Sequence, residues 1–321
     1  MSEPTTTHVS ERECDVVVRA RRLVAEDVVE LTFGLEDDEE LPAWTPGAHV
    51  DLMLAPDLLR QYSLCGSPND RTYQVAVLRA PDSRGGSMAV HELPEGARVR
   101  IRGPRNNFPL VRAQRYIFIA GGIGITPMLP MIEEAIASGA EWSLHYGGRS
   151  RSSMAYLERL AAYGDRVHVV PQDEAGLLDL GSILGSPDDS TRVYCCGPEP
   201  LLAAVEALCS AWPPGSLHLE RFAAKDVVRE GADQPFEAVL QRRGVTVTVG
   251  ADESLFDAVR AAGVSVLGSC LEGICGTCET GVLEGDVDHR DSVLDAEEQE
   301  AMDTMMICVS RCRGERLVLD L

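Results

Sequence analysis

Ser269-Cys270-Leu271-Glu272-Gly273-Ile274-Cys275-Gly276-Thr277-Cys278 is the stretch that decides how this chain reads, and Cys308 follows it thirty residues later. The pattern is C-x4-C-x2-C with a distant fourth cysteine, the spacing of a plant-type [2Fe–2S] centre. Four thiolates and two bridging sulfides leave such a centre anionic, so it needs hydrogen-bond donors around it. Gly273 and Gly276 have no Cβ, so the loop can wrap closely and aim backbone N–H groups at sulfur. Structural zinc is the competing reading, but it usually draws on two paired clusters, and only one cysteine lies downstream at a matching distance. Cys312, four residues past Cys308, could also supply a thiolate. The preferred ligand set is Cys270, Cys275, Cys278 and Cys308.

Around this loop the sequence outlines one domain. Phe236–Gln241 and Val245–Val249 read as a hairpin about Arg243-Gly244, followed by a helix near Ser254–Ala262, a short helix at Ala296–Met302 and a last strand at Leu317–Leu321. The polar run Ala223–Gln234 before them reads as a linker. Upstream of it, short apolar runs at Tyr116–Ala120, Trp142–Tyr146, Arg166–Val170, Arg192–Cys196 and Leu217–Phe222 alternate with amphipathic stretches at Met128–Ala137, Met154–Tyr163 and Leu201–Cys209. Strands alternating with helices imply βαβ units and a parallel sheet. The first 110 or so residues show period-two patterning instead, at Val50, Leu52 and Leu54, at Tyr73, Val75 and Val77, and at Val99 and Ile101, which points to a small antiparallel barrel. Three domains are expected: 1–112, a β-barrel; 113–226, an α/β domain; and 227–321, a β-grasp domain bearing the cluster.

Two short elements in the barrel suit a flavin mononucleotide. Arg60-Gln61-Tyr62-Ser63-Leu64 places a cation, an aromatic ring and a hydroxyl on one strand, Arg60 for phosphate, Tyr62 against the ring system and Ser63 near its redox-active nitrogen. Ser83-Arg84-Gly85-Gly86-Ser87 offers consecutive N–H donors and a hydroxyl, a phosphate nest. In the α/β domain, Gly121-Gly122-Ile123-Gly124-Ile125-Thr126-Pro127 follows a strand and opens a helix, with Thr126 as expected N-cap and Pro127 at the first helical position. Glycines there let a cofactor approach the backbone. Cys196-Gly197-Pro198 closes another strand of the same sheet, and strand C-termini are where such sheets bind ligands. Each element alone is equally an ordinary turn or a cross-strand pair.

Together these motifs resemble, over nearly the whole chain, the phthalate dioxygenase reductase and vanillate demethylase reductase family, the reductase components of two-component Rieske oxygenases. The resemblance rests on Arg60, Tyr62, Ser63 and Leu64, on Gly85, Gly86 and Ser87, on Gly121 to Pro127 with Gly122 and Gly124, on Cys196 to Pro198, and on the four cluster cysteines. It implies a flavin barrel, a nicotinamide domain of the ferredoxin–NADP reductase type and a C-terminal plant-type ferredoxin. It also implies that Thr126 lies near the flavin, that Cys196 lies near the nicotinamide, and that Phe222 in Leu219-Glu220-Arg221-Phe222 covers the flavin ring. The family commonly has a small residue where Cys312 stands.

The implied activity is transfer of electrons from NADH through FMN and the [2Fe–2S] cluster to a terminal Rieske-type oxygenase, with a reductase for a cytochrome P450 or another monooxygenase as the alternative. A hydride passes to the flavin, which needs close, dry stacking of rings and no acid–base triad, so no catalytic side chain is assigned. NADPH would need cations for its 2′-phosphate. Arg149 and Arg151 could supply them, whereas Asp173 and Glu174 favour NADH. A pure carrier or redox sensor is the reading from another class. His49 reads as a structural barrel residue. The net charge of −22 argues against nucleic acid or anionic membrane as the main partner, and reads either as a solubility device or as an acidic docking face for a basic protein. No run approaches the roughly 18 apolar residues of a membrane span. The polar segment Met1–Asp15 lacks a secretory h-region, so a cytoplasmic monomer is expected.

Overall fold

The computed structural model describes residues 12–37, 39–55, 58–80, 85–224, 232–294 and 296–321. The chain divides into two compact units, Met1–Glu220 and Arg221–Leu321.

The first unit opens with β1 (Glu13–Ala25), β2 (Val28–Gly34), β3 (His49–Ala55), β4 (Leu58–Ser63), β5 (Tyr73–Leu78), helix α1 (Gly86–Glu92) and β6 (Arg98–Arg105). The strands pair antiparallel in the order β4-β3-β6-β1-β2-β5. The sheet closes on itself just beyond β4, where a single bridge joins Leu64 to Val75 and the Cys65 N–H donates to the Gln74 carbonyl at 2.9 Å. Alternation explains the interior, since Val50, Leu52, Val75, Val77, Val99 and Ile101 are buried. Arg102 keeps the alternation, on the face opposite these residues with its cross-strand partner Asp51, and is buried there. With Arg105 it grips the fully buried Asp51, at 2.9 Å and 2.5 Å. Burial pushes the Asp51 carboxyl up, and the two guanidinium groups overcome that and hold it below its usual value.

The α/β part of this unit holds β7 (Arg115–Gly121), α2 (Ile125–Ala137), β8 (Glu141–Gly148), α3 (Leu157–Ala161), β9 (Val167–Pro171), α4 (Gln172–Ala175), α5 (Leu180–Leu184), β10 (Thr191–Cys196), α6 (Glu199–Leu208) and β11 (Leu217–Glu220). The sheet is all parallel, in the order β11-β10-β7-β8-β9. Successive residues of β7 feed opposite faces. Phe118 and Ala120 pack with α2, whereas Ile117 and Ile119 pack with Leu184, Leu202 and Val205. The chain runs outward through β8 and β9 and returns beyond β7 to form β10, so the topological switch lies between β7 and β10.

Two local expectations are corrected here. A 3-10 turn at Gly122–Gly124 runs straight into α2, so the helix starts at Ile125 and Gly124 is its cap. Thr126 therefore sits inside the first turn, its hydroxyl spent on the Ile123 carbonyl at 3.0 Å, and Pro127 is the third helical residue. The amphipathic run Met154–Tyr163 yields only the five residues of α3, because Tyr156 before it is held at φ 64°.

The second unit contains β12 (Phe236–Leu240), β13 (Val245–Val249), α7 (Leu255–Ala261), β14 (Glu279–Glu284), β15 (Val287–Asp288), α8 (Ala296–Ala301), β16 (Thr304–Met306), β17 (Arg311–Cys312) and β18 (Arg316–Leu319). Its main sheet has the order β13-β12-β18-β14-β16, with β12 and β18 parallel. Helix α7 is capped by Ser254, whose hydroxyl accepts from the Asp257 N–H at 3.0 Å, and it buries Leu255, Phe256 and Val259 on the sheet. This is the multidomain architecture expected from the sequence. Of the expected linker, 225–231 lie outside the described residues.

Candidate functional site

In the barrel, the two elements singled out as a flavin cradle lie against each other. A Cβ on Gly86 would fall 2.4 Å from the Arg60 Cγ, so the glycine is what lets Arg60 lie across the turn. Gly85, at φ 84°, sets the turn, and the buried Ser87 hydroxyl accepts from the Ala80 N–H at 3.1 Å. Ser83 and Arg84 lie outside the described residues. Tyr62 packs part of its ring on the barrel core, and burial pushes its hydroxyl up to about 12, opposed by the Arg60 charge. Leu64 is wholly interior.

Ser63 leads to a residue that sequence reasoning passed over. Its hydroxyl reaches Oε2 of Glu220 at 3.4 Å, and the same oxygen lies 3.7 Å from the Cys196 Sγ. Glu220, the last residue of β11, thus joins the flavin strand to the C-terminal end of β10. It is half-buried as a residue, yet its carboxyl end is enclosed enough that burial raises its pKa to about 8. The Cys196 thiol is fully buried and is pushed well up by burial and by the neighbouring carboxyl, which makes it a poor nucleophile. The only sequence signal was an acid closing an apolar strand.

The glycines after β7 and β10 answer mainly to one another. A Cβ on Gly124 would lie 2.2 Å from the Cys196 carbonyl oxygen, and one on Gly121 would lie 2.6 Å from the Pro198 ring. A Cβ on Gly197 would lie 3.0 Å from the Gly121 Cα. Gly122 differs, with φ 57° and open space where a Cβ would go, and so offers its backbone to a ligand. Thr126 is buried beside this turn, and Pro198 is exposed at the start of α6. Next in the sheet, Arg151 is engaged by Glu174 through two hydrogen bonds of 3.1 and 2.7 Å, and the Asp173 N–H donates to the Arg149 carbonyl at 3.2 Å.

In the second unit the thiols of Cys270, Cys275, Cys278 and Cys308 are neighbours. The thiols of Cys275 and Cys308 lie near enough to Cys270 to draw it below its usual value, and Cys308 lowers Cys278 likewise. The N–H groups of Glu272 and Ile274 point at the Cys270 Sγ from 3.3 and 3.5 Å. Gly273 and Gly276 stand at φ 69° and 71°, where a side chain is unfavourable. Buried Asp291 accepts from the N–H groups of Val293 and Leu294, and the Ser292 N–H donates to the Gly273 carbonyl at 2.8 Å, so the returning loop braces the first. Cys312 is elsewhere: it pairs with Val287 across β15 and β17, and burial pushes its thiol up. Four converging thiols with N–H donors suit an anionic cluster. Phe222, also in this unit, is 42% exposed.

A closed barrel, a parallel sheet with its topological switch between β7 and β10, and a loop that gathers four cysteines are the parts expected of a pyridine-nucleotide-dependent flavin and iron–sulfur reductase. Comparison with known proteins is in accord. Residues 118–207 match the oxidoreductase NAD-binding domain, and residues 238–313 match the 2Fe-2S iron-sulfur cluster binding domain. The reductase subunit of the toluene-4-sulfonate monooxygenase system of Comamonas testosteroni is 43% identical over 95% of this chain and 98% of its own. Phthalate dioxygenase reductase, solved as a modular structure for electron transfer from pyridine nucleotides to [2Fe–2S], superposes with TM-score 0.71 at 33% identity over 96% of this chain and 98% of its own. An intact type IV self-sufficient cytochrome P450 monooxygenase superposes with TM-score 0.89 at 44% identity over 96% of this chain, which spans 41% of that protein's length. The chain belongs to the family of oxygenase-system reductases that includes phthalate dioxygenase reductase and vanillate O-demethylase oxidoreductase.

Proposed function

We propose that this protein draws electrons from NADH at the crevice between β7 and β10 and delivers them singly, from the loop of Cys270, Cys275, Cys278 and Cys308, to the terminal component of a Rieske-type oxygenase system. When bound, FMN would supply hydride acceptance and one-electron release, and the [2Fe–2S] cluster would supply one-electron relay. The protein's part is placement. Arg60, Gly85, Gly86 and Ser87 hold one phosphate, Tyr62 and Ser63 line the ring, and Gly122 and Thr126 border the nucleotide. Glu220 Oε2 holds a proton between Ser63 and Cys196. Leu64, Gly121, Gly124, Gly197 and Pro198 keep those elements in register, and Phe222 is assigned to cover the ring. The domain limits proposed are 1–112, 113–226 and 227–321, in a cytoplasmic monomer.

The observation that carries this reading is the meeting of the flavin strand with the nicotinamide strand at Glu220, with both in one unit. Denaturing the holoprotein should release FMN, because the cradle has one phosphate site; recovery of FAD would show that the cradle is misread. NADH should reduce the protein with higher kcat/KM than NADPH, since Glu174 occupies Arg151 and opposes a 2′-phosphate. Glu174→Gln should raise kcat/KM for NADPH about three- to fivefold, the scale of one exposed ion pair, and leave NADH unchanged. Equal response to both coenzymes would remove Arg151 from the nucleotide site. The similarity to a self-sufficient P450 favours one second reading, a haem acceptor in place of a Rieske centre. Transfer rates to a purified Rieske oxygenase and to a P450, compared at equal concentration, separate the two.

A further inference from the structure

We propose that Tyr156 is a positioning residue that couples the loop after β8 to the flavin strand, so that coenzyme and flavin each tighten the other's binding. The inference deepens the function proposed above and rests on it. Its starting point is a strained backbone. Tyr156 stands at φ 64° and ψ 17°, a left-handed conformation that bulky residues avoid. Such strain persists only where the surroundings over-determine the residue. Here a buried hydroxyl does so. The Tyr156 O–H donates to Oε2 of Glu30 at 2.8 Å, and its oxygen lies 3.4 Å from the Sγ of Cys65. All three residues are buried. Glu30, on β2, also accepts two hydrogen bonds from Arg22, at 2.7 and 3.1 Å, so its buried charge is met from the barrel side as well.

The two ends of this contact belong to the two ligands. Cys65 continues the strand that carries Arg60, Tyr62 and Ser63, and its N–H donates to the Gln74 carbonyl beside the single Leu64–Val75 bridge. It is therefore part of the barrel seam. Tyr156 ends the loop that leaves the C-terminal end of β8 and carries Arg149 and Arg151. That loop is fastened to the barrel a second time. The Glu26 N–H donates to the Ser152 carbonyl and the Ser152 hydroxyl donates to the Glu26 carboxylate, both at 2.8 Å. Val28, Cys65 and Ala76 of the barrel share one buried core with Met154, Ala155 and Tyr156. Coupling needs an element with two states that both ligands bias, and a seam held by one bridge, closed or parted, is that element. Flavin on β4 favours the closed state. Coenzyme that orders the loop after β8 keeps Tyr156 against Cys65 and favours the same state, so by linkage the effect is reciprocal.

The test uses the full-length holoprotein and ADP-ribose, which carries the adenosine half of the coenzyme but has no nicotinamide to stack on flavin. Serial dilution gives the FMN dissociation constant from the fluorescence of released flavin, with and without ADP-ribose. Calorimetry gives the ADP-ribose affinity with flavin present and with flavin removed. In the parent each ligand should tighten the other by the same factor, about fivefold or more. Tyr156→Phe, which deletes only the hydroxyl, and Cys65→Ala should bring both factors to about one while each ligand alone still binds. Cys65→Ser keeps a hydrogen-bonding group facing Tyr156 and should retain the coupling. If Tyr156→Phe does not fold, Cys65→Ala decides, because it leaves the strained residue and Glu30 untouched. Coupling that survives both variants overturns the proposal and leaves the function standing, as does a parent that binds both ligands without coupling. A loss of both affinities at an unchanged ratio also overturns it, because Tyr156 would then be structural only. A parent that binds neither ADP-ribose nor FMN would instead overturn the function beneath it.

Discussion

Replacing Cys308 with Ser is expected to abolish the visible bands of the [2Fe–2S] centre and the EPR signal of its reduced form, and to bring NADH-driven reduction of protein acceptors down to background. Cys312→Ser should leave all three intact. The difference follows from where each thiol stands. Cys308 is buried beside both Cys270 and Cys278, so it completes the four-thiol set. Cys312 is held by strand pairing to Val287, on a separate two-stranded ribbon, and burial pushes its thiol up. An alcohol at 308 is a weaker, harder ligand than a thiolate, and soft sulfur donors are what iron–sulfur centres select. Ferricyanide reduction, which can draw on the flavin alone, should survive in Cys308→Ser. Loss of the spectra in the Cys312 variant, with retention in the Cys308 variant, would reverse the assignment.

Glu220→Gln is expected to flatten two pH profiles together. The carboxyl titrates near pH 8, so at neutral pH it is mostly protonated between Ser63 and Cys196. Above pH 8 it becomes a negative charge where negative charge and a proton arrive together. NADH-to-ferricyanide turnover should therefore fall as pH rises through about 8, with roughly a tenth left one unit above the pKa if only the neutral form works. The glutamine variant, permanently neutral, should show no such fall. Stability carries the same signature. The folded pKa is raised above the unfolded value, so the proton's stabilising contribution is fully present below the unfolded pKa and is lost as pH rises through the folded one. The loss runs at about 1.4 kcal/mol per pH unit across that window. Melting of the flavin-free protein should decline over that window in the parent and decline less in Glu220→Gln. Identical profiles would mean that another group titrates there.

The cluster loop was legible in the sequence because three of its four ligands lie within nine residues, so chain geometry itself encodes most of the site. The barrel and the parallel sheet were legible because burial follows periods of two and of strand–helix alternation at Val50, Leu52, Ile117 and Phe118. What escaped depends on contacts between distant segments. Glu220 has no motif, and it gains meaning only when β11 and β4 converge, 157 residues apart in the chain. The glycines at 121 and 124 read as openings for a cofactor. Their missing side chains, with that of Gly197, also let two strand-end turns touch, a relation invisible until both are placed. Thr126 misled because a hydroxyl followed by proline imitates a helix cap, and a preceding 3-10 turn shifts the start by two residues.

The strand that carries Arg60, Tyr62 and Ser63 is also the one whose end closes the barrel, through the single bridge from Leu64 to Val75. One clasp therefore serves both the hoop and its cargo. With the flavin seated on this strand, as proposed, each parting of the seam would free it, and a seated flavin would hold the seam shut. Loss of cofactor on storage or dilution is then a clock for barrel opening. Amide exchange at Leu64 and Cys65 should slow when FMN is added, in proportion to the flavin retained. Preparations of this reductase that fade should accordingly be restored by free FMN for as long as the seam still closes.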